Sequence, residues 1–93
     1  MDMQMTTSTQ RWFEREWNLS EGDAVRFFVR YCGDPTTRQP GFSVGISLEE
    51  PKHIAASVTH AGVQFFVRDE DLWFFDNNPV VVDYAEASEE FVW

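Results

Sequence analysis

The chain has 93 residues, 43% of them hydrophobic and 16% aromatic, and a formal net charge of −9. Nine Phe, four Trp and two Tyr give a chain of this size the means to form one small domain over residues 1–93 around its own core, which excludes a disordered polymer. Eight of the 16 acids lie in residues 69–93, which hold no Lys or Arg, and an acidic field of this kind argues against nucleic acid as a partner.

Met3-Gln4-Met5 alternates and predicts a short edge strand. Thr6 to Thr9 supplies hydroxyls able to cap a helix, and Thr7 with Gln10 has capping-box spacing. The helix is expected from about Ser8 to Trp17, with Trp12, Phe13 and Trp17 as its apolar stripe and Arg11, Glu14 and Arg15 facing outward. Leu19-Ser20-Glu21-Gly22 ends it.

From Asp23 to Tyr31 the period changes to two. Val25, Phe27, Val29 and Tyr31 fall on the expected core face, with Ala24, Arg26, Phe28, Arg30 and Cys32 on the other. Residues 33–40 read as a loop, and Gly41 to Leu48 resumes as a strand in which Phe42, Val44, Ile46 and Leu48 alternate with small residues. The segment around Ile54 has no clear pattern. Ser57–His60 and Val63–Arg68 read as strands joined by an Ala61-Gly62 hairpin turn.

Asp69 to Phe75 opens with acids suited to a first helical turn and predicts about one turn of helix. Asn77-Asn78-Pro79 is a turn, Val80–Tyr84 a strand, and Phe91-Val92-Trp93 a last short strand. The expected fold class is therefore mainly β (α+β), with one N-terminal helix.

The single cysteine excludes an intramolecular disulfide, and no stretch approaches the ~20 apolar residues that a bilayer-spanning helix requires. No leader-like segment opens the chain, so a cytoplasmic protein away from membranes is expected. Cys32 is the candidate site residue, because Arg26 and Arg30 on its strand face would favour the thiolate. Only Cys32, His53 and His60 could serve as zinc ligands of the Cys or His type, fewer than a closed zinc site needs, and no metal site is assigned. Asp69, Glu70 and Asp71 lack the spacing and central glycine of a calcium loop. No catalytic motif is present, so no catalytic residue is assigned. The acids at 69–71, 86, 89 and 90 read mainly as a solubilising surface. Phe28, Phe66 and Phe74 would form an apolar patch for a homodimer or a protein partner if the monomer leaves them uncovered.

Three segments carry a resemblance: Glu21 to Tyr31, Gln39 to Ile46, and Asp69-Glu70-Asp71-Leu72-Trp73-Phe74-Phe75-Asp76. Taken in this order, and over nearly the whole chain, they resemble the HesB-like branch of the iron–sulfur biosynthesis domain family, related to the A-type carriers. The resemblance implies a β-sandwich-like domain with an N-terminal helix. Members of the carrier group hold iron or an iron–sulfur cluster through one cysteine after the first long strand and a Cys-Gly-Cys pair near the C-terminus. Here residues 85–93 contain no cysteine, and alignment on Gly33 places Asp34, rather than Cys32, at the first ligand position. The resemblance thus implies a degenerate cluster site and a non-enzymatic accessory or protein-binding module with no cofactor. The alternative is an iron or iron–sulfur carrier, or a reactive-thiol protein, using Cys32 as the cofactor-binding residue across a dimer.

Overall fold

A computed structural model describes residues 3–31, 42–75 and 79–92. Its fold is mostly β, with two sheets around one α-helix. The strands are β1 (Met3–Met5), β2 (Ala24–Tyr31), β3 (Phe42–Leu48), β4 (Ile54–His60), β5 (Val63–Arg68), β6 (Val80–Ala85) and β7 (Glu90–Val92). The helix α1 spans Thr7–Glu16, and a 3₁₀ helix covers Asp69–Phe75. Cys32, Asp34, the expected loop 33–40, Asn77-Asn78, Trp93 and the Tyr31 side chain lie outside the described residues.

The helix starts one residue earlier than the sequence spacing suggests, because Thr6 is the cap. Its Oγ1 accepts the Thr9 N–H at 3.4 Å, while Gln10 donates its side-chain N–H to the Met5 carbonyl instead of completing a box with Thr7. Thr6 Oγ1 also donates to Asp83 Oδ1 at 2.7 Å, and the buried Thr9 donates its hydroxyl to the Val82 carbonyl at 2.9 Å. The cap therefore fixes α1 to β6 as well as starting the helix.

Sheet order is β3-β2-β5-β4 in the larger sheet and β1-β6-β7 in the smaller. β2 pairs antiparallel with β3 and parallel with β5, and β4–β5 is an antiparallel hairpin. Ala61 and Gly62 both have positive φ, 52° and 78°, as a two-residue hairpin turn with the right twist requires. The segment without a sequence pattern is the start of β4, and a register shift between Ile54 and Ala56 explains why alternation fails there.

The helix lies between the sheets. Phe13 packs edge-on against Phe27 and Phe65 of the larger sheet, with ring centroids 5.9 and 4.9 Å apart, while Trp12 reaches Tyr84 and Phe91 of the smaller. Val25, Phe27, Phe65, Val67, Phe74, Val80 and Val82 complete the buried core. Fully burying one such side chain contributes about 1.5–3 kcal/mol relative to leaving it exposed, so this aromatic interior is the main source of stability.

Candidate functional site

The alternation that sends Val25 and Phe27 inward sends Arg26, Phe28 and Arg30 to the opposite face of the larger sheet. β5 follows the same parity. Phe66 is paired with Arg26 in the β2–β5 register, and Arg68 lies two residues further on the same face. β3 contributes Ser43, Gly45 and Ser47 opposite Arg30, Phe28 and Arg26. Small side chains on the edge strand leave room for large ones on β2. The Phe28 ring lies over Gly45, and a Cβ there would stand 2.4 Å from Phe28 Cζ.

At one end of this face two arginines meet three carboxylates. Arg26 donates to Asp71 at 2.9 Å, Glu70 at 3.2 Å and Glu49 at 3.3 Å, and Arg68 donates to Glu49 at 3.2 Å. The side chains of Arg26 and Asp71 are only 13% and 9% exposed. Burial alone would lower the Arg26 pKa, but the hydrogen bonds and charges of Asp71 and Glu49 outweigh it and raise the value above normal. Glu49 is held below the usual carboxylate range, first by the Ser47 hydroxyl, with burial opposing and Arg26 and Arg68 reinforcing. Arg26 Nε and Arg68 Nε are buried without a hydrogen-bond partner among the described residues.

This network redistributes the residues singled out from sequence. Arg26, expected to acidify Cys32, is committed to carboxylates, and Arg30 donates to Ser43 Oγ at 3.4 Å. Glu70 and Asp71, read as solubilising acids, are ion-pair partners. Glu86 lies 3.9 Å from Arg15, while Glu89 and Glu90 remain exposed at the β6–β7 turn. Among the described residues, no group of three or more His, Cys, Asp or Glu is placed to hold a metal ion. Glu49 and Arg68 were missed as site residues. Their signal was strand parity: arginines on the outer positions of two strands require carboxylates nearby if they are not to stand in open water.

The expected patch of Phe28, Phe66 and Phe74 does not form. Phe66 and Phe74 are fully buried and Phe28 is half-buried over Gly45. Exposed apolar surface lies instead at Leu48 (57%), Trp73 (45%), Ile54, Val81 and Val92. Trp73 meets Phe42 edge-on at 5.2 Å, so the core-side row of β3 continues onto the 3₁₀ helix. A second feature is a groove of 210 Å³ between α1 and the β4–β5 turn, lined by Phe13, Glu14, Trp17, Asn18 and His60 among others. His60 Nε2 and Glu14 Oε1 close its rim at 3.0 Å.

What this geometry defines is a small α+β domain whose strong polar contacts are internal and whose open surfaces are an apolar strand edge, a shallow groove and an acidic turn. The chain belongs to the family of a Bacillus subtilis protein named pyruvate dehydrogenase inhibitor, with which it is 38% identical over 90 residues, covering 97% of this chain and 94% of the relative. An uncharacterised Staphylococcus haemolyticus protein is 31% identical over 96 residues, covering 100% of this chain and 96% of its own length. An uncharacterised Staphylococcus saprophyticus protein is 29% identical over 93 residues, with 97% and 94% covered. No protein-family profile and no solved structure matches the chain.

These findings correct the resemblance to the HesB-like iron–sulfur domain. No such family matches, and the named relative is an inhibitor rather than a cluster carrier. The segments that carried the likeness are β2, β3 and the 3₁₀ helix, whose alternating and aromatic residues serve the core and the arginine–carboxylate face. Their pattern reports packing, which many β proteins share. The degenerate-cluster reading and its Cys32 carrier alternative go with it. An inhibitor acts on another protein, so the expectation of a protein partner agrees with the relative's name. No helix of the described residues is long and apolar enough to cross a membrane.

Proposed function

We propose that this chain is a non-enzymatic regulator that binds pyruvate dehydrogenase and inhibits it, acting in the cytoplasm as a single domain. One observation carries the reading: 38% identity across 97% of the chain with the protein named for that inhibition. The surface is consistent with recognition of a protein. Exposed Glu89 and Glu90 at the β6–β7 turn form a negative end that would steer a basic surface toward the chain, and exposed Trp73 offers a large apolar contact beside Phe42.

The test is to titrate the purified chain into Bacillus subtilis pyruvate dehydrogenase while following pyruvate-dependent NADH formation. Saturable inhibition is expected, together with co-sedimentation of the two proteins. The Glu89→Lys/Glu90→Lys variant should associate more slowly, and the difference should shrink as salt is raised. Full activity at a large molar excess of the chain, with no co-sedimentation, would refute the proposal.

A further inference from the structure

The groove between α1 and the β4–β5 turn has an apolar floor and an acceptor-rich rim. Phe13, Val63 and Phe65 form the floor, all three buried, and the half-buried Trp17 stands beside them. The rim is set by Glu14, whose side chain is 60% exposed. Its Oε1 is paired with His60 Nε2 at 3.0 Å, and its Oε2 has no partner among the described residues. No Lys or Arg lines the groove among those residues.

Two further features deepen the negative potential there. Glu14, Trp17 and Asn18 all line the groove, so the C-terminal end of α1 lies at it, and that end carries the negative pole of the helix dipole. Arg15, the cation of the last turn, is held by Glu16 at 3.0 Å and lies 3.9 Å from Glu86. It therefore leaves the groove uncompensated. The Glu21 side chain packs against Gly62, next to the lining residue Ala61, and Glu21 makes no ion pair among the described residues.

We propose that this groove binds a lysine side chain presented by a protein partner, with the alkyl stem on Phe13, Phe65 and Trp17 and the ammonium at Glu14 Oε2. The charge of the rim selects a cation over an anion, and the apolar floor selects one carried on a long alkyl stem. A volume of 210 Å³ falls short of the about 300–1,000 Å³ of sites for drug-sized ligands and suits a single side chain. The state of Glu14 selects lysine over arginine. A guanidinium fork is best matched by both oxygens of a carboxylate, and His60 already occupies one of them. An ammonium is a point charge with three rotatable donors, so one oxygen suffices. His60 is thus a positioning residue, holding the carboxylate over the groove from the opposite side. The proposal names the contact chemistry of the regulator described above and rests on that reading only for the identity of the partner.

The test uses n-butylammonium, which reproduces the lysine side chain beyond Cα, titrated into the isotope-labelled chain at pH 7.5 and constant ionic strength. Amide resonances of Phe13, Trp17, His60 and Val63 should shift saturably, with a dissociation constant on the order of 10 mM for so small a ligand. n-Butanol should bind about fivefold more weakly, and Glu14→Gln should remove most of that difference, since a contact to an exposed carboxylate is modest. The variant's dispersed spectrum would establish that it is folded. Absence of shifts at these residues, butanol binding as tightly as butylammonium, an unchanged preference in Glu14→Gln, or tighter binding of n-propylguanidinium would overturn the proposal. In the pyruvate dehydrogenase titration, Glu14→Gln should raise the concentration for half-inhibition about threefold, and inhibition equal to that of the parent chain would overturn the groove's role in binding. A parent chain that does not inhibit, yet whose groove prefers butylammonium, would refute the enzyme as partner and support the site.

Discussion

Replacing Arg26 with Met tests the arginine–carboxylate network most directly. Methionine keeps much of the unbranched stem and removes the charge and every donor. The cost falls on Asp71, whose only ion pair among the described residues is with Arg26 and whose side chain is 9% exposed. Breaking a buried pair by removing one partner typically costs about 3–5 kcal/mol, because the remaining charge is left without compensation. Glu70, at 66% exposed, marks a wet margin of the network, which favours the lower end, about 3 kcal/mol. A domain of this size has roughly 5–14 kcal/mol of total stability, so the loss is large, and it corresponds to a fall in Tm of about 12–24 °C. Urea unfolding of Arg26→Met, Asp71→Leu and the double variant would close the cycle. The double variant should be considerably more stable than Arg26→Met, since it buries apolar groups where the orphan carboxylate would have been. A cost below about 1 kcal/mol for Arg26→Met, or a double variant as unstable as the sum of the two singles, would refute the reasoning.

Gly45→Ala should cost about 1 kcal/mol by displacing the Phe28 ring, and the same change in a Phe28→Ala background should cost nothing measurable in denaturant unfolding. Thr6→Ala should lose about 1 kcal/mol by the same assay, through the missing helix cap and the lost contact to Asp83, whereas Thr6→Ser should retain most of it. Glu49 has a depressed pKa in the folded state, so the unfolded chain binds the extra proton. Its contribution is present above the unfolded value near ~4.3 and is lost as pH falls through the lower folded value. Urea midpoints measured from pH 7 down to pH 3 should therefore fall less steeply for Glu49→Gln than for the parent chain.

The fold was largely legible because its periods are clean. Val25, Phe27 and their outward neighbours announced β2 and its two faces, and the Ala61-Gly62 turn announced the β4–β5 hairpin. Two local features were not legible. The bulge between Ile54 and Ala56 breaks alternation at the start of β4, and Thr6 outcompetes Thr7 as cap because only Thr6 also meets Asp83, a residue 77 positions away. The site was less legible still. Arg26 and Arg30 were visible as outward cations, but their acceptors come from residues 43, 49, 70 and 71, and only the sheet register brings these together.

The charge asymmetry of the sequence changes meaning once the fold is known. Of the acids after residue 68, Glu70 and Asp71 are held by Arg26, and Asp83 accepts the hydroxyls of Thr6 and Ser8. Among the described acids after residue 68, Asp69, Glu89 and Glu90 form no ion pair, and the last two place their charge at the β6–β7 turn, on the smaller sheet. Electrostatic steering acts over about a Debye length, near 8–10 Å at physiological salt. Salt should therefore weaken an association made through the acidic turn, and an affinity indifferent to salt would refute a role for Glu89 and Glu90 in it.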